Sequence, residues 1–111
     1  MFVLCAHYHG SVPAENREAF ETHVETIHLP MVARYPGLVS LRYLKGTRWN
    51  ESEPPYLLTF ELGFASRDDL ENALKSDIRY AAKDDLDNFV PWFDGDIRHV
   101  LYEVNGIPVC D

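Results

Sequence analysis

The chain has 111 residues, 46% of them hydrophobic and 25% charged, a composition that fits one folded domain and is too apolar for a disordered segment. Ten lysines and arginines against eighteen aspartates and glutamates leave a formal net charge of −8 with no basic cluster, which argues against nucleic acid and anionic membrane as partners. Cys5 and Cys110 form neither a disulfide framework nor a metal-ligand spacing, and no stretch approaches the roughly 18 apolar residues of a membrane span, so a reduced, cytoplasmic protein is expected.

Residues 2–9, FVLCAHYH, are apolar and aromatic, too short for a helix, and closed by Gly10; they predict a first strand. A helix is expected from Asn16 as N-cap, with Glu18 in the first turn where the helix dipole favours an acid. Phe20, Val24 and Ile27 recur at i, i+4 and i+7 and predict its core stripe. Pro30 lacks an amide hydrogen and restricts Leu29, so the helix should end or kink near His28, with a further short turn over 31–35 before the break at Pro36-Gly37. LVSLRYLKG, 38–46, predicts a second strand and 47–55 a polar turn with two prolines. In YLLTFELGF, 56–64, Tyr56, Leu58, Phe60, Leu62 and Phe64 share one face of a third strand, with Leu57, Thr59, Glu61 and Gly63 on the other. Ser66 with Asp69 makes a capping box for a helix that buries Leu70, Ala73 and Leu74. A further helical segment from Asp77 towards Leu86 turns Ile78, Ala81, Ala82 and Leu86 inward, and Pro91 bars its continuation. Asp84, Asp85 and Asp87 fit a solvated acidic surface. IRHVLYEV, 97–104, predicts the last strand.

The order strand, helix, strand, strand, helix, strand over residues 1–111 is the split βαβ arrangement: an α+β, ferredoxin-like βαββαβ domain with helices on one face of a four-stranded antiparallel sheet. Strand two alternates Leu38, Ser40, Arg42, Leu44 with Val39, Leu41, Tyr43, Lys45, so neither of its faces is cleanly polar. Val3, Leu57 and Leu101 add to the same ambiguity. An uncovered sheet face of this kind predicts a homodimer whose two sheets face each other.

His23 and His28 are five residues apart, about 140° around a helix, and cannot face one metal as histidines at i and i+4 would. His23 reads as a half-buried helix residue. His28 stands where the helix is expected to end, so it is either a C-capping imidazole or a general acid or base at a pocket mouth. Cys5, His7 and His9 share a face of strand one, but no third ligand is identifiable by spacing, so no metal site is assigned. Glu61 interrupts an apolar strand; it could act as a base, orient a histidine, or pair with Arg42 across the sheet. Tyr8, Tyr43, Tyr56 and Trp92 are core or interface aromatics that could also line an apolar ligand pocket. The sequence contains no nucleophile elbow, phosphate-binding glycine loop or dinucleotide fingerprint, which removes most support for hydrolase and nucleotide-dependent functions.

Over nearly its whole length the sequence resembles the EthD family of small dimeric α+β barrel proteins. The resemblance rests on Phe20 followed by His28, Pro30 and Pro36-Gly37-Leu38; on Pro55-Tyr56 opening strand three; on FASRDDL, Phe64 to Leu70; and on Asp85-Leu86 with Asn88-Phe89. His23 stands where a tyrosine is common in the family and Val24 where an aromatic is, so the pocket is expected to differ there. The resemblance implies a homodimer whose sheets form a barrel, with a cleft between sheet and helices in each subunit and His28 as a site residue. Related barrels include cofactor-free isomerases, cyclases and dehydratases, and haem-degrading or quinone-forming monooxygenases, so fold leaves the reaction open. The expectation is a cofactor-free acid–base enzyme acting on a small apolar cyclic or aromatic metabolite in catabolism or secondary metabolism. His28 and Glu61 are the catalytic candidates, and Tyr8, His23, Tyr43, Tyr56 and Trp92 the binding ones. The alternatives are a non-catalytic carrier serving an oxygenase, and a haem or metal protein using His7, His9, His23 or His28.

Overall fold

A computed structural model describes residues 1–110. Four strands, β1 (Phe2–Ser11), β2 (Leu38–Lys45), β3 (Tyr56–Phe64) and β4 (Asp94–Glu103), form one antiparallel sheet in the order β2-β3-β1-β4. The helices α1 (Ala14–His23), α2 (Leu29–Val32), α3 (Arg67–Leu74) and α4 (Asp77–Asp85) complete the ferredoxin-like α+β arrangement.

The third strand has the predicted bounds, and its alternation sets the layers: Leu58, Phe60, Leu62 and Phe64 are buried towards the helices. They meet Tyr8, Phe20, Val24, Leu70, Ala73 and Phe89 in a single aromatic-rich core. Strand one runs two residues further than the sequence suggested, and strand four begins three earlier, because they pair continuously from Phe2–Glu103 to Ser11–Asp94. Gly37, at φ +77, makes the turn into β2 that a side-chain-bearing residue would strain.

The first helix departs from expectation at both ends. It starts at Ala14 after Pro13 and not at Asn16. At its other end, where the sequence predicts an end or kink near His28, it does not stop but is distorted into a π-helical turn, Val24–His28, before α2 carries Pro30 in its first turn. The Leu29 N–H donates five residues back to the Val24 carbonyl. Pro30 accounts for the wider turn, because its ring would collide with the carbonyl four residues before it and it has no amide hydrogen to offer there. An extra residue in the turn sets later positions back by roughly 100°. His28 therefore takes the inward phase predicted for Ile27: Ile27 is 47% exposed and His28 only 5%.

Asp85 is the second correction. Asp84 and Asp87 lie on the surface, but Asp85 is buried at 6% exposure. Ser66 caps α3 as predicted, its hydroxyl accepting from the Asp69 amide at 3.1 Å. Ser66→Ala should lower stability by about 1 kcal/mol in urea unfolding, with an unchanged m-value.

Candidate functional site

The buried Asp85 carboxylate is the centre of a small polar network inside an otherwise apolar core. Its Oδ1 and Oδ2 accept from His23 Nε2 at 2.9 and 3.0 Å, Oδ2 accepts from His28 Nδ1 at 3.0 Å, and Oδ1 accepts from Asn88 Nδ2 at 2.9 Å. Burial pulls the Asp85 acidity towards the neutral form, but the hydrogen bonds from Asn88, His23 and His28 outweigh it and hold the pKa below the ordinary value. An ionised carboxylate only accepts, so His28 must carry its proton on Nδ1, leaving the Nε2 lone pair unprotonated. Burial lowers the His28 pKa more than the Asp85 carboxylate raises it, so the imidazole is neutral at pH 7.

Phe89 fixes both rings. Its centroid lies 5.3 Å from that of His23, in stacked orientation, and 4.7 Å from that of His28. Phe60 of β3 lies 5.9 Å from His28 on the sheet side. With Nδ1 tied to Asp85 and its faces covered, the imidazole has one free functional atom.

A cavity of about 360 Å³ lies between sheet and helices, and His28 lines it together with Tyr8, Tyr35, Phe60, Arg79 and His99. The rest of its wall is mostly aliphatic, including Leu4, Val32, Leu62, Leu86 and Ile97. The register explains the space. Phe60, Ala6 and His99 stand side by side across β3, β1 and β4, and the small Ala6 side chain leaves room between its larger neighbours. Burial, and then the Asp85 charge, push the Tyr8 hydroxyl well above its ordinary pKa, so it is a neutral donor.

Of the sequence-derived candidates, His28 and Tyr8 meet at this cavity. His23 reaches it only through Asp85, and with Trp92 it borders a shallow groove on the outer side of α1. Tyr43 packs against Phe60 at 5.9 Å and does not line the cavity; burial, then Glu25 and Glu21, push its hydroxyl up to about 12. Glu61 lies on the opposite sheet face as expected, and so does Tyr56, against the expectation that it shares the face of Leu58 and Phe60: the register shifts between Tyr8 and His9, and the Tyr56 ring packs 5.2 Å from His7 and 5.5 Å from His9. Glu61 accepts from Arg42 Nε at 2.7 Å, the third of its expected roles, and it is not brought near His28. His7 is on that face too, bonded to Thr59 at 2.9 Å and Tyr102 at 3.2 Å, while His9 reaches Asp96 at 3.3 Å. Among the described residues no three histidine, cysteine or acidic side chains are grouped to hold a metal, and no helix is long and apolar enough to cross a membrane.

Sequence reasoning missed Asp85, although a signal was present. It stands at i+7 from Ile78 and i+3 from Ala82, on the apolar stripe of α4, and an acid there needs buried donors. It also sits in the last turn of the helix, where the dipole disfavours negative charge.

An EthD (ethyl tert-butyl ether D) family protein from Bacillus halodurans C-125 superposes with a TM-score of 0.79 at 22% identity, over 95% of this chain and 99% of that one. The fold is that of the EthD proteins. An EthD-like protein from Ralstonia eutropha JMP134 matches at TM-score 0.66 and 14% identity, over 92% and 89% of the two chains. A dimeric protein of ferredoxin-like fold from Bacteroides fragilis NCTC 9343 matches at 0.62 and 16%, over 93% and 96%. No family model matches the chain, and no curated protein matches it. The EthD-like fold places the cavity between sheet and helices, where the resemblance implied a cleft.

Two outcomes test the network. Asp85→Asn should lower stability by roughly 3 kcal/mol in chemical unfolding, because it leaves buried donors without their charged acceptor. The folded pKa of His28 lies below 6.5, so the unfolded chain binds more protons there; the stability His28 contributes is present above pH 6.5 and lost as pH falls through the folded value. An NMR titration giving His28 a pKa at or above 6.5 would refute this.

Proposed function

We propose that this protein is a cofactor-free acid–base enzyme that moves a proton next to the carbonyl of a small, mostly apolar cyclic or aromatic metabolite. The observation that carries the reading is the neutral, buried His28, its Nδ1–H held by Asp85 and its ring lining an apolar cavity.

The chemistry follows from these groups. The free Nε2 takes a proton from carbon beside the carbonyl, and the Asp85 carboxylate stabilises the imidazolium that forms. The Tyr8 hydroxyl is the donor for the developing enolate oxygen. The imidazolium then returns the proton to a second atom of the ligand, as isomerisation or cyclisation requires, so the enzyme ends as it began. Water exclusion by the aliphatic wall strengthens both interactions. Asp85 acts through His28 as a positioning residue, in the role that the sequence had offered to Glu61.

We also propose a homodimer through the outer sheet face. Val100 and Tyr102, paired with Cys5 and Val3, are exposed there, which leaves an apolar surface without cover. One protein of the same fold is described as dimeric, which supports the reading.

The proton-transfer reading is tested in D₂O with 2-tetralone and α-angelica lactone as carbon acids. The wild type should incorporate deuterium beside the carbonyl at least about 100-fold faster than His28→Ala. Equal rates would replace the enzyme with a binding protein. Native mass spectrometry should give a species of twice the 12.8 kDa chain mass for both proteins, and a monomer would remove the dimer.

A further inference from the structure

Two cations border the cavity and have no carboxylate. Arg79 and Lys83 lie four residues apart on α4, on the face that also presents Ala82 and Leu86 to the cavity. Among the described residues neither has an acidic partner within 4.0 Å; Arg17, Arg34 and Lys75 also lack one, but Arg79 and Lys83 are the pair that lines the cavity, whereas Arg42, Lys45, Arg48, Arg67 and Arg98 are all paired. Arg79 has only the Tyr80 ring, 5.6 Å from its guanidinium carbon. No aspartate or glutamate lines the cavity. In a chain with eighteen acids, this one cavity wall carries positive charge alone.

Arg79 stands apart from the proton-transfer group. His28 packs on Phe60 of β3, while the Arg79 charge acts on His99 of β4, lowering its pKa after burial. Phe60, Ala6 and His99 form one row across three strands, so the two ends are two strand spacings apart, about 10 Å. Between them lies the space above Ala6, walled by aliphatic side chains.

We propose that the ligand of this cavity is an apolar ring compound bearing a carboxylate, which Arg79, on the β4 side, binds together with Lys83 while the ring body extends over Ala6 towards His28. The assignment rests on the cavity being the ligand site and names the class of compound it selects. A guanidinium and an ammonium on one helix face can together satisfy both carboxylate oxygens; the half-buried Arg79 gains from the apolar wall beside it, while Lys83 is exposed and contributes a screened charge. A neutral ring compound would leave both cations facing the cavity uncompensated.

Isothermal titration calorimetry with 2-naphthoate and its methyl ester separates charge from apolar fit. The wild type should bind the carboxylate roughly tenfold or more tightly than the ester, with the difference shrinking as salt rises. In the Arg79→Gln/Lys83→Gln double variant that preference should vanish, with ester affinity within about twofold of wild type, while Lys83→Arg should retain it. Ala6→Phe should abolish binding of both compounds, which ties the effect to the cavity. Equal affinity of wild type for the two compounds, a preference that survives the double variant, or no binding of either would overturn the proposal. If the preference is present but His28-dependent deuterium exchange is absent, the proton-transfer reading falls and the carboxylate assignment stands.

Discussion

A carboxylate buried at the end of a helix is the interaction on which the rest of this structure depends. Asp85 is disfavoured twice, by removal from water and by the negative end of the α4 dipole. Three donors offset this: one from the end of α1, one from the π-helical turn, and one from the short turn after α4. The network therefore fastens the first helix and its π-helical turn to α4 within the one helical layer. A buried ion is stabilised only when all its partners are present, and removal of one commonly costs about 3–5 kcal/mol. The same requirement gives His28 a single tautomer and a single orientation.

The π-helical turn is what allows that bond to form. In a regular α-helix His28 would stand about 80° from Phe20, on the flank of the buried stripe. The inserted residue brings it inward beside Val24 and sends Ile27 out. Pro30 is thus the local cause of the inward placement of His28, since a helix without it has no steric reason to widen there. Phe89 then fills the gap between the two histidine rings, so the site is rigid before any ligand arrives.

The strands, the sheet and the ferredoxin-like order were legible because alternation is a local signal. YLLTFELGF alone places Phe60 and Glu61 on opposite faces, and that alternation already separates Glu61 from any group on the helix side. The Ser66–Asp69 cap was legible for the same reason. The π-helical turn was not, because a periodicity of 100° per residue assumes that no residue is inserted. Asp85 was hidden by composition: three acids in four positions read as surface, and only the phase of Ile78 and Ala82 distinguishes the middle one. The union of His23, His28 and Asp85 spans more than fifty residues of chain, and no local rule joins them.

Charge divides this molecule on two length scales. At long range a carboxylate ligand meets a chain of net charge −8, so electrostatic steering does not accelerate its approach. Screening at physiological ionic strength limits that repulsion to about 8 Å, and within this distance Arg79 and Lys83 dominate the cavity wall. Affinity for an anion must then come from slow departure rather than fast arrival. Slow departure would suit the proposed proton transfer, because removing a proton from carbon needs a long-lived, well-oriented contact with the imidazole. Under the two proposals the positive side of the cavity and the neutral His28 would be complementary: the cations would hold a ligand by a charge that takes no part in the proton transfer, and the uncharged imidazole would remain free to accept a proton.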